Sequence, residues 1–281
     1  MKKSGLTILA VIGLFGLSFS SAQTISAEKT SFTNPIIWAD FPDLSITRNG
    51  EDFYLISTTM HLMPGAPVMK SKDLVNWELA SYVVERLTDT PKYDLKEGTA
   101  YGRGQWASSI RYHKGKYYVL FSPNDQPFRS YIFETVNPDD NQWKLVSRTK
   151  HFHDASLFFD DDDRVYVFSG DRVTELNSDL SDVKVGGLDQ QIFERDSSET
   201  GLLEGNQIIK RNGKYYMMMI SWPNKGNRRQ VVYRADRIDG PYEKKVILED
   251  QFQGFYYAGQ GALIDDNKGN WYSLIFQDGI C

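Results

Sequence analysis

Four or five times along this chain, an apolar stretch runs into a turn of small polar residues and returns as a strand ending in aromatics. The units span Ile46–Tyr54, Ile110–Tyr118, Phe158–Tyr166, Ile208–Tyr216 and Ile264–Tyr272, so their closing tyrosines lie 64, 48, 50 and 56 residues apart. A unit of this size cannot bury its apolar face alone. Copies must pack on one another, and short strands joined by Gly, Asn and Asp turns make the product a β-propeller. A second set of segments, Ser71–Trp77, Asn137–Trp143, Asn177–Leu180 and Asp236–Tyr242, places Asp or Asn in a turn with an apolar or aromatic residue just after it. These read as outer hairpins of blades. Blades therefore start near Pro42, Trp106, Asp154, Glu204 and Gln260. The last is short, because only Gln277–Cys281 follow Trp271–Phe276, and the segment near Ile36 can add one strand at most. A blade needs about four strands. The expectation is an all-β, five-bladed propeller with an incomplete fifth blade, marginal stability and exposed apolar faces at Leu274 and Phe276.

Twelve residues before each closing tyrosine stand Pro42, Trp106, Asp154, Glu204 and Gln260, with Asp43 next to Pro42. Equivalent blade positions converge on one axis, so Asp43, Asp154 and Glu204 are expected to share a pocket. Hydrolysis of a glycosidic bond with inversion uses such a set. One carboxylate deprotonates water and one carboxylic acid protonates the leaving oxygen, the two standing roughly 6.5–9.5 Å apart to admit that water. The acid must keep its proton near neutral pH, and a third carboxylate nearby helps by like-charge repulsion. Taken singly, each of the three reads equally well as a turn residue opening a strand. The run Asp160–Asp163 is different, since it falls in a hairpin turn where solvated Asp is ordinary and calcium binding is the lesser alternative.

Met1–Gly5 is basic and polar, Leu6–Phe19 apolar and Ser20–Ala22 small, the pattern of a signal peptide cleaved after Ala22. The apolar run is shorter than the roughly 20 residues of a membrane span. Residues 1–22 are expected to be a signal peptide, 23–31 a polar leader and 32–281 the propeller. The product would be exported, to the periplasm or beyond, with no membrane insertion after cleavage. Losing Lys2 and Lys3 takes the formal charge from −5 to −7, which gives no reason to expect nucleic acid or an anionic membrane as partner. Cys281 is the only cysteine, so the fold depends on its core and not on disulfides. His151 and His153 alternate on one strand face, but four histidines in all leave a zinc site short of ligands. No Gly-x-Ser-x-Gly, phosphate loop or dinucleotide fingerprint is present.

Asn34-Pro35 followed by Phe41-Pro42-Asp43-Leu44-Ser45-Ile46 resembles the Asn-Pro…Pro-Asp-Pro-Ser-Ile opening of the family 43 glycoside hydrolases. Trp106-Ala-Ser-Ser-Ile110 resembles that family's Trp-Ala-Pro-Ser-Ile, His153-Asp154-Ala-Ser-Leu-Phe158 its Asp-Pro-Ser-Leu-Phe, and Leu203-Glu204-Gly-Asn206 its Glu-Gly-Pro. The likeness runs from about Asn34 to Asp278, with these motifs in the family's order. It implies a five-bladed propeller, inversion, and substrates that contain arabinose or xylose. By motif, Asp43 would be the general base, Glu204 the general acid, and Asp154 the residue that tunes and orients the acid. Leu44 and Ala155 depart from the family by replacing the proline after each aspartate. Gly259, within Tyr257–Ala262, stands where many members place a His associated with a central calcium or water. That substitution argues against a central calcium, and no cofactor or metal is expected. A C-terminal β-sandwich, common among such relatives, is not expected either.

Other candidate contacts with sugar are Trp106 and Trp38 as flat apolar platforms, Thr58 and His61 as hydrogen-bonding groups, and Gln260 at the axis. Core packing is the alternative for both tryptophans, and an ordinary polar loop for Ser57–His61. The reading is an exported inverting hydrolase that releases terminal arabinofuranosyl or xylosyl units. The alternatives are a non-catalytic carbohydrate-binding propeller and an inactive, truncated gene product. Fructan-cleaving propellers lack support, since no Asn-Asp-Pro-Asn-like opening is present.

Overall fold

A computed structural model describes residues 31–249 and 258–277. The expected signal peptide, nearly all of the leader, Tyr257 and the tail from Asp278 lie outside the described residues. Every strand belongs to the unit Asn34–Cys281. The first sheet holds Ser45–Asn49 (β1), Asp52–Ile56 (β2), Gly65–Ser71 (β3) and Glu78–Val84 (β4). The second holds Gln105–His113 (β5), Lys116–Pro123 (β6), Arg129–Thr135 (β7) and Lys144–Lys150 (β8). Ser156–Phe159 (β9), Val165–Ser169 (β10), Arg172–Leu176 (β11) and Asp189–Gln191 (β12) form the third. Leu202–Arg211 (β13), Lys214–Trp222 (β14), Arg229–Ala235 (β15) and Glu243–Leu248 (β16) form the fourth. A hairpin of Ala258–Asp265 (β17) and Trp271–Gln277 (β18) completes the described strands.

Each sheet is an antiparallel meander in sequence order, giving four four-stranded blades and one two-stranded sheet. Among the described residues the only helical turns are two short 3₁₀ segments. The five repeat units are the hairpins β1–β2, β5–β6, β9–β10, β13–β14 and β17–β18. The second set of turn segments joins the third strand of each four-stranded blade to its fourth.

The first strands form a ring. Strand β1 packs on β5, β5 on β9, β9 on β13 and β13 on β17, and β17 returns to β1. An inner strand presents one edge of unpaired backbone N–H groups to its neighbour, and buried donors need partners. Small hydroxyls supply them. Ser45 Oγ accepts from Ile110 N at 3.1 Å, Ser109 Oγ from Leu157 N at 3.0 Å, and Ser156 Oγ from Ile208 N at 3.2 Å. All three serines are buried.

Apolar side chains fill the wedges between blades. Tyr54 packs edge-on to Tyr117 at 4.9 Å between the first and second blades, and Phe158 packs edge-on to Tyr215 at 6.0 Å between the third and fourth. The repeated aromatic pairs thus serve mainly the core. Leu274 is buried in a cluster with Leu44, Ile46, Phe53, Leu55 and Ala262, so β18 seals the face of the first blade. The expected exposure at Leu274 is therefore wrong, and Phe276 is half-buried; Trp271 and Tyr272 are the exposed aromatics of that strand.

The aspartate run also differs from a uniformly solvated turn. Asp161, Asp162 and Asp163 are exposed, but Asp160 is buried and accepts from Lys210 Nζ at 2.5 Å, Tyr215 O–H at 2.6 Å and Asp161 N at 2.8 Å. Burial alone would raise its pKa. The hydrogen bonds from Lys210 and Tyr215 outweigh burial and hold the carboxyl below its ordinary value. Asp160→Ala should leave Lys210 with only the exposed Asp161 at 2.8 Å and take the acceptor from the Tyr215 hydroxyl, costing about 1–3 kcal/mol in urea unfolding. A loss within experimental error would show that Asp160 is only a turn residue.

Candidate active site

Asp43 and Asp154 occupy the turns that lead into β1 and β9, and both have left-handed backbones, with φ of 55° and 43°. A short polar side chain tolerates that region better than a bulky one, and the turn swings the carboxylate away from the strand direction. The turn at Asp43 is fixed by Pro42 O, which accepts from Ser57 Oγ at 2.5 Å and from Thr58 N at 3.3 Å. Glu204 lies within β13, where the register with β14 shifts between Glu204 and Gln207. Such bulges re-aim side chains. Gly205 next to it has φ of 75°, and a Cβ there would come within 2.3 Å of Gln260 Cδ, so both conformation and space demand glycine. Asn206 then locks the third blade to the fourth. Its N–H donates to Asp154 O at 3.2 Å, its Nδ2 to Gly170 O at 2.9 Å, and its Oδ1 accepts from Gly170 N at 2.8 Å.

These supports bring Asp154 and Glu204 to a common partner, His153. His153 Nε2 lies 3.1 Å from Glu204 Oε2 and 3.8 Å from Asp154 Oδ2. Asp43 is close enough for its charge to act on both Asp154 and His153. Burial, against the opposing charge of His153 and with help from the Glu204 and Asp43 carboxylates, pushes the Asp154 carboxyl up to about 7. His153 is pushed up to about 8, first by its hydrogen bond to Glu204, against burial and with help from the Asp154, Glu204 and Asp43 charges. Near neutral pH the cluster therefore holds protons that isolated side chains would have lost. His153, Asp154 and Glu204 are also the described groups that could ligate a metal, their donor atoms all lying within 4.8 Å of one another.

A family model described as glycosyl hydrolases family 43 matches residues 32–278. The chain belongs to glycoside hydrolase family 43. A putative beta-xylosidase of Xylanibacter ruminicola is 32% identical over 245 residues, a match covering 84% of this chain and 44% of that protein. A non-reducing end alpha-L-arabinofuranosidase of Bacteroides ovatus is 28% identical over 283 residues, covering 98% of this chain and 52% of the relative. Among solved structures, a bifunctional GH43-CE protein of Bacteroides eggerthii superposes with a TM-score of 0.79 at 40% identity, covering 88% of this chain and 32% of that one. The chain thus spans about half the length, or less, of these relatives.

On this family 43 scaffold the other expected contacts are dispersed. Trp106 is half-buried, donates from its indole N–H to Gly102 O at 2.9 Å and stands 6.3 Å from the His153 ring. Trp38 belongs to no core, being 86% exposed. His61 is exposed and packs on Tyr101, ring centroids 4.5 Å apart and tilted by 33°, an aromatic partner that the sequence alone does not reveal. Thr58 and Gln260 are buried, and their Oγ1 and Nε2 atoms are covered and lack hydrogen-bond partners among the described residues.

Asp154 has a pH signature. An acid whose pKa is higher in the folded chain than its ordinary 3.8 binds its proton more tightly when folded. Its contribution favours folding below about pH 4 and is lost as pH rises through about 7. His153, raised from 6.5 to about 8, keeps its own contribution below 6.5 and loses it as the pH rises through about 8. Asp154→Asn mimics the protonated acid and removes the penalty of a buried charge. Its stability relative to the parent should therefore be greater at pH 8 than at pH 5 in urea unfolding, and an equal difference at both would contradict the raised pKa.

Proposed function

We propose that this chain is the catalytic propeller of an exported, inverting exo-glycosidase that releases terminal arabinofuranosyl or xylosyl units from plant cell-wall glycans. The observation that carries the reading is the contact of His153 with both Glu204 and Asp154, with the Asp43 charge acting on the same cluster. The printed activities of the relatives, beta-xylosidase and non-reducing end alpha-L-arabinofuranosidase, support the substrate class. On this reading residues 1–22 direct export, the β17–β18 hairpin belongs to a fifth, incomplete blade, and no metal takes part in the chemistry.

Asp43 acts as general base. It deprotonates a water that attacks the anomeric carbon from the face opposite the leaving group, so the product inverts. Glu204 acts as general acid and protonates the leaving oxygen. The proton it delivers is held between Glu204 Oε2 and His153 Nε2, 3.1 Å apart. As the C–O bond breaks, charge grows on the leaving oxygen and draws that proton through Glu204. Asp154, which gains its charge as the pH rises through about 7, then repels the loss of the acid's proton on the basic side and orients the acid. Trp106 supplies an apolar face beside the cluster.

The test is turnover of aryl α-L-arabinofuranoside and aryl β-D-xyloside by the purified chain. Asp43→Asn and Glu204→Gln should each lower kcat by about 10²–10⁴-fold while the fold persists by circular dichroism. Asp154→Asn should also move the basic limb of the pH–rate profile to lower pH, because removing a negative neighbour lowers the acid's pKa. Parent-like rates in the Asp43 and Glu204 variants would end the assignment, and an unmoved basic limb would remove Asp154 from its role.

A further inference from the structure

The centre of the ring holds a charge that the proposed chemistry does not use. Arg111, on inner strand β5 of the second blade, turns its guanidinium toward three other inner strands. Its Nη1 donates to Ser45 Oγ at 3.2 Å and to Ile110 O at 2.7 Å. Its Nη2 donates to Ser156 Oγ at 2.6 Å, and at longer range to Gln207 Oε1 at 3.4 Å and Ile208 O at 3.3 Å. Ser45 in turn donates to Gln207 Oε1 at 2.9 Å across the ring. Among the described residues no carboxylate is hydrogen bonded or ion-paired to Arg111. Solvent reaches part of the side chain, yet protein surrounds it, and lost hydration lowers its pKa to about 10, which leaves it charged at neutral pH.

The partners follow a pattern. Ser45 lies two residues after Asp43, Ser156 two after Asp154, and Gln207 three after Glu204. One planar fork therefore ties together the three strands whose ends carry the carboxylates, and a guanidinium's fixed geometry transmits position better than a flexible ammonium. The family likeness raises the question of a divalent cation at the ring's centre, and the residues present do not fit one. The nearby oxygens are neutral and already accept from Arg111, whose positive charge opposes a second cation. At Gly259, where relatives place a His, a Cβ would fall 2.1 Å from Phe276 Cζ, so that ring occupies the space a ligating side chain needs.

We propose that Arg111 is a positioning residue: it is the channel's own cation, sets the spacing of the strands that carry Asp43, Asp154 and Glu204, and replaces a structural metal ion. The kinetic half rests on the glycosidase reading; the metal half does not.

Calorimetric unfolding of the wild-type chain tests the metal half without any turnover. The Tm should be the same with excess EDTA, with added calcium chloride and with neither. A fall with EDTA or a rise with calcium would overturn the proposal. For positioning, Arg111→Lys keeps the charge and loses the fork, and kcat on the aryl glycosides should drop about tenfold or more with KM within about threefold. Ser156→Ala keeps Arg111 and removes one bond of the clamp together with the Ile208 N–H bond to the same hydroxyl, so it guards against a lysine variant that does not fold, and it should lower kcat measurably at constant KM. A lowered Tm with parent-like kcat in either variant would reduce Arg111 to a structural role. Absence of turnover in the wild type would instead defeat the glycosidase reading, with the Tm comparison still judging the channel cation.

Discussion

Each inner strand of this propeller turns an edge of backbone donors toward the next blade, and the ring depends on how those donors are met. Ser45, Ser109 and Ser156 meet them with hydroxyls instead of a continuous β-ladder. A ladder would merge the sheets into a barrel; single side-chain bonds keep the blades separate at fixed spacing. Because Ser45 and Ser156 follow Asp43 and Asp154 by two residues, the bonds that join these inner strands also sit beside two of the carboxylates. Arg111 adds a second tie through two of those serines. Fold and site therefore share one set of hydrogen bonds.

The site itself opposes stability. Two aspartates sit in left-handed backbone, and Asp154 is buried among other carboxylates. Neither arrangement lowers the folding free energy. What holds them is local and specific: Pro42 O clasped by Ser57 and Thr58, Asn206 bound to Gly170, and Gly205 fitted against Gln260. The strain is compensated elsewhere, by aromatic wedges such as Tyr54–Tyr117 and Phe158–Tyr215. A site of this kind retains protons at neutral pH because the surrounding fold resists the relaxation that would release them.

Much of this was legible in the sequence because the repeat is local. The hairpins, their turns and the carboxylates twelve residues before the tyrosines all follow from spacing within one unit. What spacing could not reveal depends on partners in other units. Asp160 reads as a solvated turn acid until Lys210 and Tyr215, 50 and 55 residues on, close over it. Leu274 reads as an exposed edge until the first blade packs against it. His153 stands beside Asp154, but only the left-handed turn at Asp154 and the bulge at Glu204 bring its ring to the acid. Arg111 falls within the repeat unit Ile110–Tyr118, and only the assembled ring shows that its fork faces the strands of the carboxylates.

The central claim is that Asp154 and His153 keep protons that isolated side chains would have lost, with Glu204 as the hydrogen-bond partner of His153. The most direct measurement is an NMR titration of the His153 imidazole in the wild type and in Glu204→Gln. With Glu204 present, the midpoint should lie near 8, well above the ordinary 6.5. In Glu204→Gln it should fall back toward that ordinary value, since the charged hydrogen-bond partner is gone. A wild-type midpoint at or below 6.5, unchanged by the substitution, would contradict the account.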